Sequence, residues 1–129
     1  MSRHLPTAAR ILLGLAFTIF GLNFFLNFLP QPPMEPAAGA FVGALVVGKY
    51  LTVVKAVEVV AGLALLANVF VPLSLALLAP PLVGIVVFHA IYAPSGLILP
   101  FILVALEVYL AWTYRAAFAP MLQARTATT

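Results

Sequence analysis

Long continuous blocks of apolar residues constrain what this chain can fold into more than any other feature of its sequence. A helix that crosses about 30 Å of hydrocarbon needs about 20 mainly apolar residues. Blocks of that length extend over about residues 8–29, 48–69, 71–93 and 97–118. They lack the alternation of transmembrane β-strands, and backbone polar groups in lipid must pair within the protein. The sequence therefore predicts one all-α domain, an integral membrane four-helix bundle.

The segments between the blocks predict how the bundle is connected. A proline-rich stretch after the first block is predicted to form an outer loop, because it is too rich in proline to be helical. Residues 37–47 are apolar but too short to span, so they are predicted to form a short interfacial helix between the first two spans. Prolines inside the third and fourth blocks, namely Pro80, Pro81 and Pro100, are predicted to kink those helices.

The composition excludes several classes of protein. Hydrophobic residues make up 65% of the chain and charged residues only 7%, against about 25% charged in a typical globular domain. These values exclude a disordered chain, a nucleic-acid-binding domain and a water-soluble enzyme. The chain has no cysteine, which excludes disulfides, iron–sulfur clusters, thiolate metal sites and dithiol redox relays.

The positions of the charged residues predict an orientation. Four spans place both termini on one side of the membrane. The arginines on that side are Arg3, Arg10, Arg115 and Arg125. Lys49 and Glu35 lie on the other side, so the positive-inside rule predicts that both termini are cytoplasmic. No small-x-small cleavage site follows the first apolar block, so we expect an uncleaved first span.

Away from the block ends, where Arg10, Lys49 and Arg115 lie, four Lys, Glu or His residues occur within the apolar blocks. Each costs about 2.5–3.5 kcal/mol on insertion. They are Lys55, Glu58, His89 and Glu107. Counted from the outer helix ends, Asn23, Lys55 and His89 lie roughly 6–10 Å deep and the two glutamates about 15 Å deep. If the helices turn these residues inward, all four spans contribute to one buried polar site. That site is expected to open toward the outer leaflet and to be covered by residues 30–47.

Each of these residues also has a purely structural interpretation. Lys55 and Glu58, at i and i+3, are equally consistent with a neutralised pair that lets the helix insert. His89 alone more often bonds a neighbouring carbonyl, whereas nothing in its own helix neutralises Glu107. The simplest role of four glycines is to permit close helix contact: Gly14, Gly21, Gly62 and Gly84.

The polar residues do not form a recognisable catalytic or metal site. A single histidine within the spans cannot supply the paired axial ligands of a bis-histidine haem. His89 and the two glutamates differ in depth by roughly a turn and a half, so no metal site is predicted. No nucleophile–base pair, phosphate loop or zinc motif occurs, and no catalytic residue is assigned.

The order of the polar and glycine motifs resembles that of a known family. The motifs are Arg10-Ile-Leu-Leu-Gly14, Phe20-Gly21-Leu-Asn23, Lys55-Ala-Val-Glu58 followed by Gly62, Phe88-His89, and Glu107-x-Tyr109 continuing to Tyr114-Arg115. Over about residues 8–122 the chain resembles the DoxX family of small four-helix bacterial membrane proteins. The resemblance implies a bacterial cytoplasmic (inner) membrane and an association with quinol oxidase or thiosulfate:quinone oxidoreductase complexes. It also implies functional roles for Lys55, Glu58, His89 and Glu107, with Asn23 as a hydrogen-bond donor.

Three functional hypotheses follow. The first is a quinone-linked membrane subunit or binding module of a redox complex, in which Lys55 or His89 donates hydrogen bonds to a quinone and Glu58 or Glu107 relays protons. It has no tightly bound cofactor and is not a complete enzyme; its partners are the bilayer and a respiratory or redox subunit. The second is a small proton-coupled transporter that acts as a homo-oligomer. The third is a non-catalytic assembly partner whose polar residues hold helices together.

Overall fold

The computed structural model describes residues 3–128, and within that range the chain is helical with no β-strand. The helices are α1 (Leu5–Leu26), α2 (Pro36–Val47), α3 (Tyr50–Ala67), α4 (Val71–Tyr92), α5 (Ile98–Thr113) and α6 (Arg115–Phe118). Short 3₁₀ turns occur at Pro94–Gly96 and Ala119–Leu122. By length and composition, α1, α3 and α4 can each cross a membrane, and α5 together with the bent segment Arg115–Leu122 makes a fourth candidate.

Asparagines end two of the long helices. Asn27 and Asn68 adopt left-handed backbone conformations, with φ of 53° and 58°, which asparagine tolerates better than most residues. The Asn27 N–H donates to the Asn23 carbonyl at 2.8 Å, and the Asn68 N–H donates to the Leu65 carbonyl at 3.2 Å. These bonds satisfy carbonyl groups that a helix end otherwise leaves free.

The fourth predicted span differs most from the structure. The apolar block extends to Phe118, but α5 ends at Thr113 and the chain then bends by 78° into Arg115–Leu122. The predicted kink at Pro100 is also absent, because Pro100 lies in the first turn of α5, where its missing N–H leaves no intrahelical bond unmade. Helix α4 continues from Val71 to Tyr92 through Pro80 and Pro81.

The four long helices contact one another in a ring. Helix α1 contacts α3 and α5, α3 contacts α4, and α4 contacts α5. Consecutive long helices run in opposite directions, so α1 and α4 end where α3 and α5 begin. We call this the loop end, because it carries residues 27–35 and 93–97; the opposite end, where α1 begins and α5 ends, is the terminal end.

Glycines bring α1 and α3 unusually close. A Cβ built on Gly62 would lie 2.9 Å from the Thr18 backbone nitrogen and 3.0 Å from the Gly14 carbonyl oxygen. A Cβ on Gly21 would lie 2.6 Å from Cγ2 of Val59. The prediction of close contact is therefore confirmed for Gly14, Gly21 and Gly62. It is wrong for Gly84, which has no such atom within 4 Å.

Leucines from every long helix fill the space inside the ring. The fully buried ones are Leu13 of α1, Leu65 of α3, Leu75 and Leu78 of α4, and Leu110 of α5. Helix α2 lies outside this core and buries only Ala38. It contacts α3, and its Phe41 stacks on Phe88 and Tyr92 of α4 with ring centroids 5.9 and 5.3 Å apart. Helix α2 thus lies near the loop end.

Candidate functional site

A cavity of about 210 Å³ lies toward the loop end and brings together three of the five predicted site residues. Its polar wall consists of Lys55 and Glu58 from α3 and His89 from α4. The remaining lining is Ala16, Phe17, Phe20, Ile85, Gly96, Leu99, Pro100 and Leu103. All four long helices contribute to this space, which we call the polar cavity.

Lys55 and Glu58 form an ion pair within the polar cavity. The Lys55 Nζ lies 3.2 Å from Oε1 of Glu58, and the two residues are one helical turn apart. Glu58 is only 2% exposed, whereas the Lys55 side chain is 20% exposed. An ammonium group carries three donor hydrogens. Glu58 accepts one of them, and the other two have no acceptor among residues 3–128. The pair therefore gives one oxygen of the buried carboxylate a cationic partner, and Lys55 still offers a donor to a ligand.

His89 presents one ring nitrogen to its own helix. Its Nδ1 lies 2.8 Å from the Ile85 carbonyl oxygen. A carbonyl oxygen only accepts, so Nδ1 carries the hydrogen, and in the neutral ring Nε2 is an acceptor. Gly96 allows the loop to approach this ring, because a Cβ there would lie 3.0 Å from Cδ2 of His89. His89 therefore forms the hydrogen bond to a neighbouring carbonyl that is expected of a structural histidine. It also lines the polar cavity.

Asn23 lies outside the polar cavity. It is 4% exposed, and its Oδ1 accepts a hydrogen bond from the Leu29 N–H at 2.7 Å. Its backbone carbonyl accepts the Asn27 N–H that ends α1. The structure therefore gives Asn23 a role in shaping the chain as it leaves α1.

Glu107 also lies away from the polar cavity. It lines a second cavity, of about 340 Å³, which is an open groove between α4 and α5 toward the terminal end. The other lining residues are Leu75, Ala76, Ala79, Ala111, Phe118 and Met121. Glu107 is 9% exposed, and its Oε1 is buried with no hydrogen-bond partner in the described part of the chain. We call this space the Glu107 cavity.

The segment predicted to cover the site does not line it. No residue of 30–47 contributes to the polar cavity, and α2 packs instead on the outer sides of α3 and α4. The lining residues nearest the loop end are Gly96, Leu99 and Pro100, which come from the turn before α5 and its first helical turn. The α4–α5 connection thus borders the polar cavity where the proline-rich loop was expected.

Arg10 has a structural role that the sequence analysis missed. It is 9% exposed, and its guanidinium donates to the Leu65 carbonyl and, at 3.3 Å, to the Leu66 carbonyl. Both carbonyls belong to the last turn of α3, where a cation is favourable and intrahelical donors are missing. A signal was present in the sequence, because Arg10 lies one turn before Gly14 and therefore on the face that meets α3.

Among residues 3–128 no group of three or more His, Cys, Asp or Glu side chains is placed to hold a metal ion. No protein-family model matches the chain, and no curated protein or solved structure does either.

Proposed function

We propose that this chain is a membrane-spanning four-helix protein that binds a quinone-like ligand in the polar cavity, as a subunit or small binding module of a redox system. One observation carries the proposal: an ammonium, a carboxylate and an imidazole from two helices meet in one cavity whose other walls are apolar. The resemblance to the DoxX family supports the same redox context.

The outer surface of the helices supports insertion into a membrane. Each long helix exposes large apolar side chains: Leu12 is 55% exposed, Val60 65%, Val83 63% and Val108 60%. Soluble monomers rarely expose contiguous apolar surface of more than a few hundred Å². Apolar residues are thus found both inside the ring and around it, as expected of helices surrounded by lipid.

The charged residues support an orientation with the terminal end in the cytoplasm of a bacterial inner membrane. Arg10 and Arg115 both lie at this end, and the exposed Arg115 is placed as a basic anchor at the interface, where aromatic and basic residues are typical. The Arg115 guanidinium lies 4.4 Å from the centre of the Trp112 ring. The 78° bend after α5 would then direct Arg115–Leu122 along the membrane surface rather than through it. The polar cavity would lie in the outer half of the membrane.

The size and donor set of the polar cavity fit a substituted quinone ring. An apolar cavity of about 150 Å³ accommodates benzene, so 210 Å³ suits one ring with small substituents. When bound, a quinone would accept two electrons and two protons. Lys55 can donate a hydrogen bond to a ring carbonyl, and Nε2 of a neutral His89 can accept one from a ring hydroxyl. The two residues therefore suit the oxidised and the reduced ring respectively.

The proton-coupled transporter has less support from the geometry. That hypothesis uses the two glutamates together, but Glu58 and Glu107 line different cavities. An assembly role without a ligand is the remaining alternative, and it predicts that removing the polar residues changes stability alone.

The test is the quinone content of protein purified in mild detergent, measured by mass spectrometry of an organic extract. We expect near-stoichiometric quinone in the wild type and its loss in the Lys55→Leu/Glu58→Leu double variant, because the ring loses its donor. The matched control is Glu107→Gln, which alters a buried carboxylate in the other cavity and should retain quinone. Wild-type quinone no higher than in the double variant would overturn the proposal.

A further inference from the structure

We propose that the Glu107 cavity is a second binding site, specific for an apolar molecule that carries one ammonium group. The site is separate from the polar cavity and does not depend on quinone binding. Its distinguishing feature is a carboxyl group that is nine-tenths buried and lacks a partner for one oxygen, at the side of a space large enough for a ligand.

Burying Glu107 without a partner is costly. A buried polar group that forms no hydrogen bond destabilises the folded protein, and a buried charge without a partner does so more strongly. Glu107 comes from the middle of α5 and faces the first half of α4, which contributes only Leu75, Ala76 and Ala79 to the cavity. None of these side chains can donate a hydrogen bond.

The cations on the surrounding elements already have partners. Lys55 of α3 pairs with Glu58, and Arg10 of α1 donates to the last carbonyls of α3. Arg115, at the bend after α5, donates to the Trp112 carbonyl at 2.8 Å and lies over the Trp112 ring. Among residues 3–128, no hydrogen bond or ion pair therefore gives Glu107 a cationic partner, and a bound ammonium group would supply one.

The lining of the Glu107 cavity specifies the rest of the ligand. Three alanines, Ala76, Ala79 and Ala111, leave room between α4 and α5, and the bent segment after α5 contributes Phe118 and Met121. An aromatic face attracts a cation, and a methionine thioether packs well against aromatic rings. A suitable ligand thus has one cationic donor for the carboxylate and an otherwise apolar body, for which the space admits at least one ring.

The test is equilibrium binding of tritiated 2-phenylethylammonium, which is cationic at neutral pH, to full-length protein in detergent. We expect saturable binding to the wild type that weakens at least tenfold in Glu107→Gln, because the amide has the same shape but no charge. The Lys55→Leu/Glu58→Leu variant should bind as the wild type does. This separates the site from the quinone site, so either proposal can fail alone.

Two controls test whether charge and space both contribute. Unlabelled ethylbenzene, which lacks the ammonium group, should not displace the labelled ligand. Ala79→Leu should also weaken binding, because the larger side chain fills the cavity without changing the carboxylate. If Glu107→Gln does not fold, this variant tests the proposal instead. Equal binding by wild type and Glu107→Gln, or displacement by ethylbenzene, would overturn the proposal. A wild type without saturable binding would also overturn it. If the oligomeric state then changes in Glu107→Gln, the cavity is a contact between copies.

Discussion

At the scale of single residues, the Lys55–Glu58 pair is a buried charge that depends on one partner. Glu58 is 2% exposed, and the Lys55 Nζ at 3.2 Å is the cation that compensates it. Removing one member of such a pair leaves an uncompensated charge, whereas replacing both with apolar residues is often tolerated. We therefore expect Lys55→Leu to lower the free energy of unfolding by up to about 3 kcal/mol, and Lys55→Leu/Glu58→Leu to lower it less.

Unfolding titrations with sodium dodecyl sulfate in mixed micelles measure both values. Glu58→Leu completes the double-mutant cycle and gives the interaction energy between the two side chains. If the double variant loses the sum of the two single losses, the pair contributes nothing to stability and the first expectation fails. A stable double variant is also the right control for quinone binding, because lost quinone then reflects a lost site rather than a lost fold.

Arg10 is a residue whose role depends on hydrogen bonds to carbonyls that are more than fifty residues away in the sequence. Its guanidinium donates to two carbonyls in the last turn of α3. Arg10→Met retains an apolar stem but removes these bonds, so we expect a loss of about 1.5–3 kcal/mol, the range for hydrogen bonds to charged groups. The same detergent titration measures this loss.

Arg115→Met is the matched control, because Arg115 is exposed and its guanidinium contacts the neighbouring Trp112. Its loss of unfolding free energy should be about 1 kcal/mol or less. Equal losses in the two variants would contradict the capping role of Arg10.

At the scale of helices, the contact between α1 and α3 depends on the absence of a side chain at Gly62. A Cβ there would meet backbone atoms of Thr18 and Gly14, which cannot move independently of α1. We expect Gly62→Ala to destabilise the protein by about 1–3 kcal/mol, as overpacking does. Gly84→Ala is the control, because its Cβ meets nothing within 4 Å. It should stabilise α4 by about 0.5–1 kcal/mol, since alanine favours a helix more than glycine does.

The melting temperatures of the two variants in the same detergent check this pair of expectations. The two substitutions are chemically identical, so a difference in sign arises from their surroundings. If both variants shift in the same direction, the close approach of α1 and α3 does not limit stability.

The positions of the helices were predictable from the sequence, because the length of an apolar block can be read from consecutive residues alone. The three helices α1, α3 and α4 overlap their predicted blocks closely, and residues 37–47 form a helix as expected. The bend after Thr113 was not predictable, because residues on both sides of Tyr114 are apolar or good helix formers. Its position depends on packing: Tyr114 and Phe118 are half-buried against the core leucines.

At the scale of the whole molecule, the arrangement of the polar residues was only partly predictable. Lys55 and Glu58 share a face by spacing alone, so their pairing follows from the sequence. Whether His89 or Glu107 joins them depends on how α4 and α5 rotate about their axes. Helices that are apolar on every side give little indication of that rotation. His89 faces the polar cavity, whereas Glu107 faces the first half of α4, so residues predicted for one site line two separate cavities.

The proposed number of spans determines whether the two ends of the chain lie on the same side of a membrane, and it can be tested directly. The chain has no cysteine, so single-cysteine variants can be labelled without background from the protein. Gln31 and Gln123 are both exposed and lie at opposite ends, one in the proline-rich loop and one after the bent segment. We expect a membrane-impermeant maleimide to label Gln31→Cys from outside the cytoplasmic membrane, and Gln123→Cys only after that membrane is disrupted.

This pair of variants distinguishes four spans from three. Three is the alternative number by length, because the bend after α5 interrupts the fourth candidate span. If α5 crosses, residue 123 returns to the side of the N-terminus, where the arginines lie. If α5 does not cross, both cysteines face outward and react equally before disruption. Reaction of Gln123→Cys alone would place the termini outside and reverse the orientation. In that case the polar cavity would face the cytoplasm, and a redox partner would have to be sought on that side.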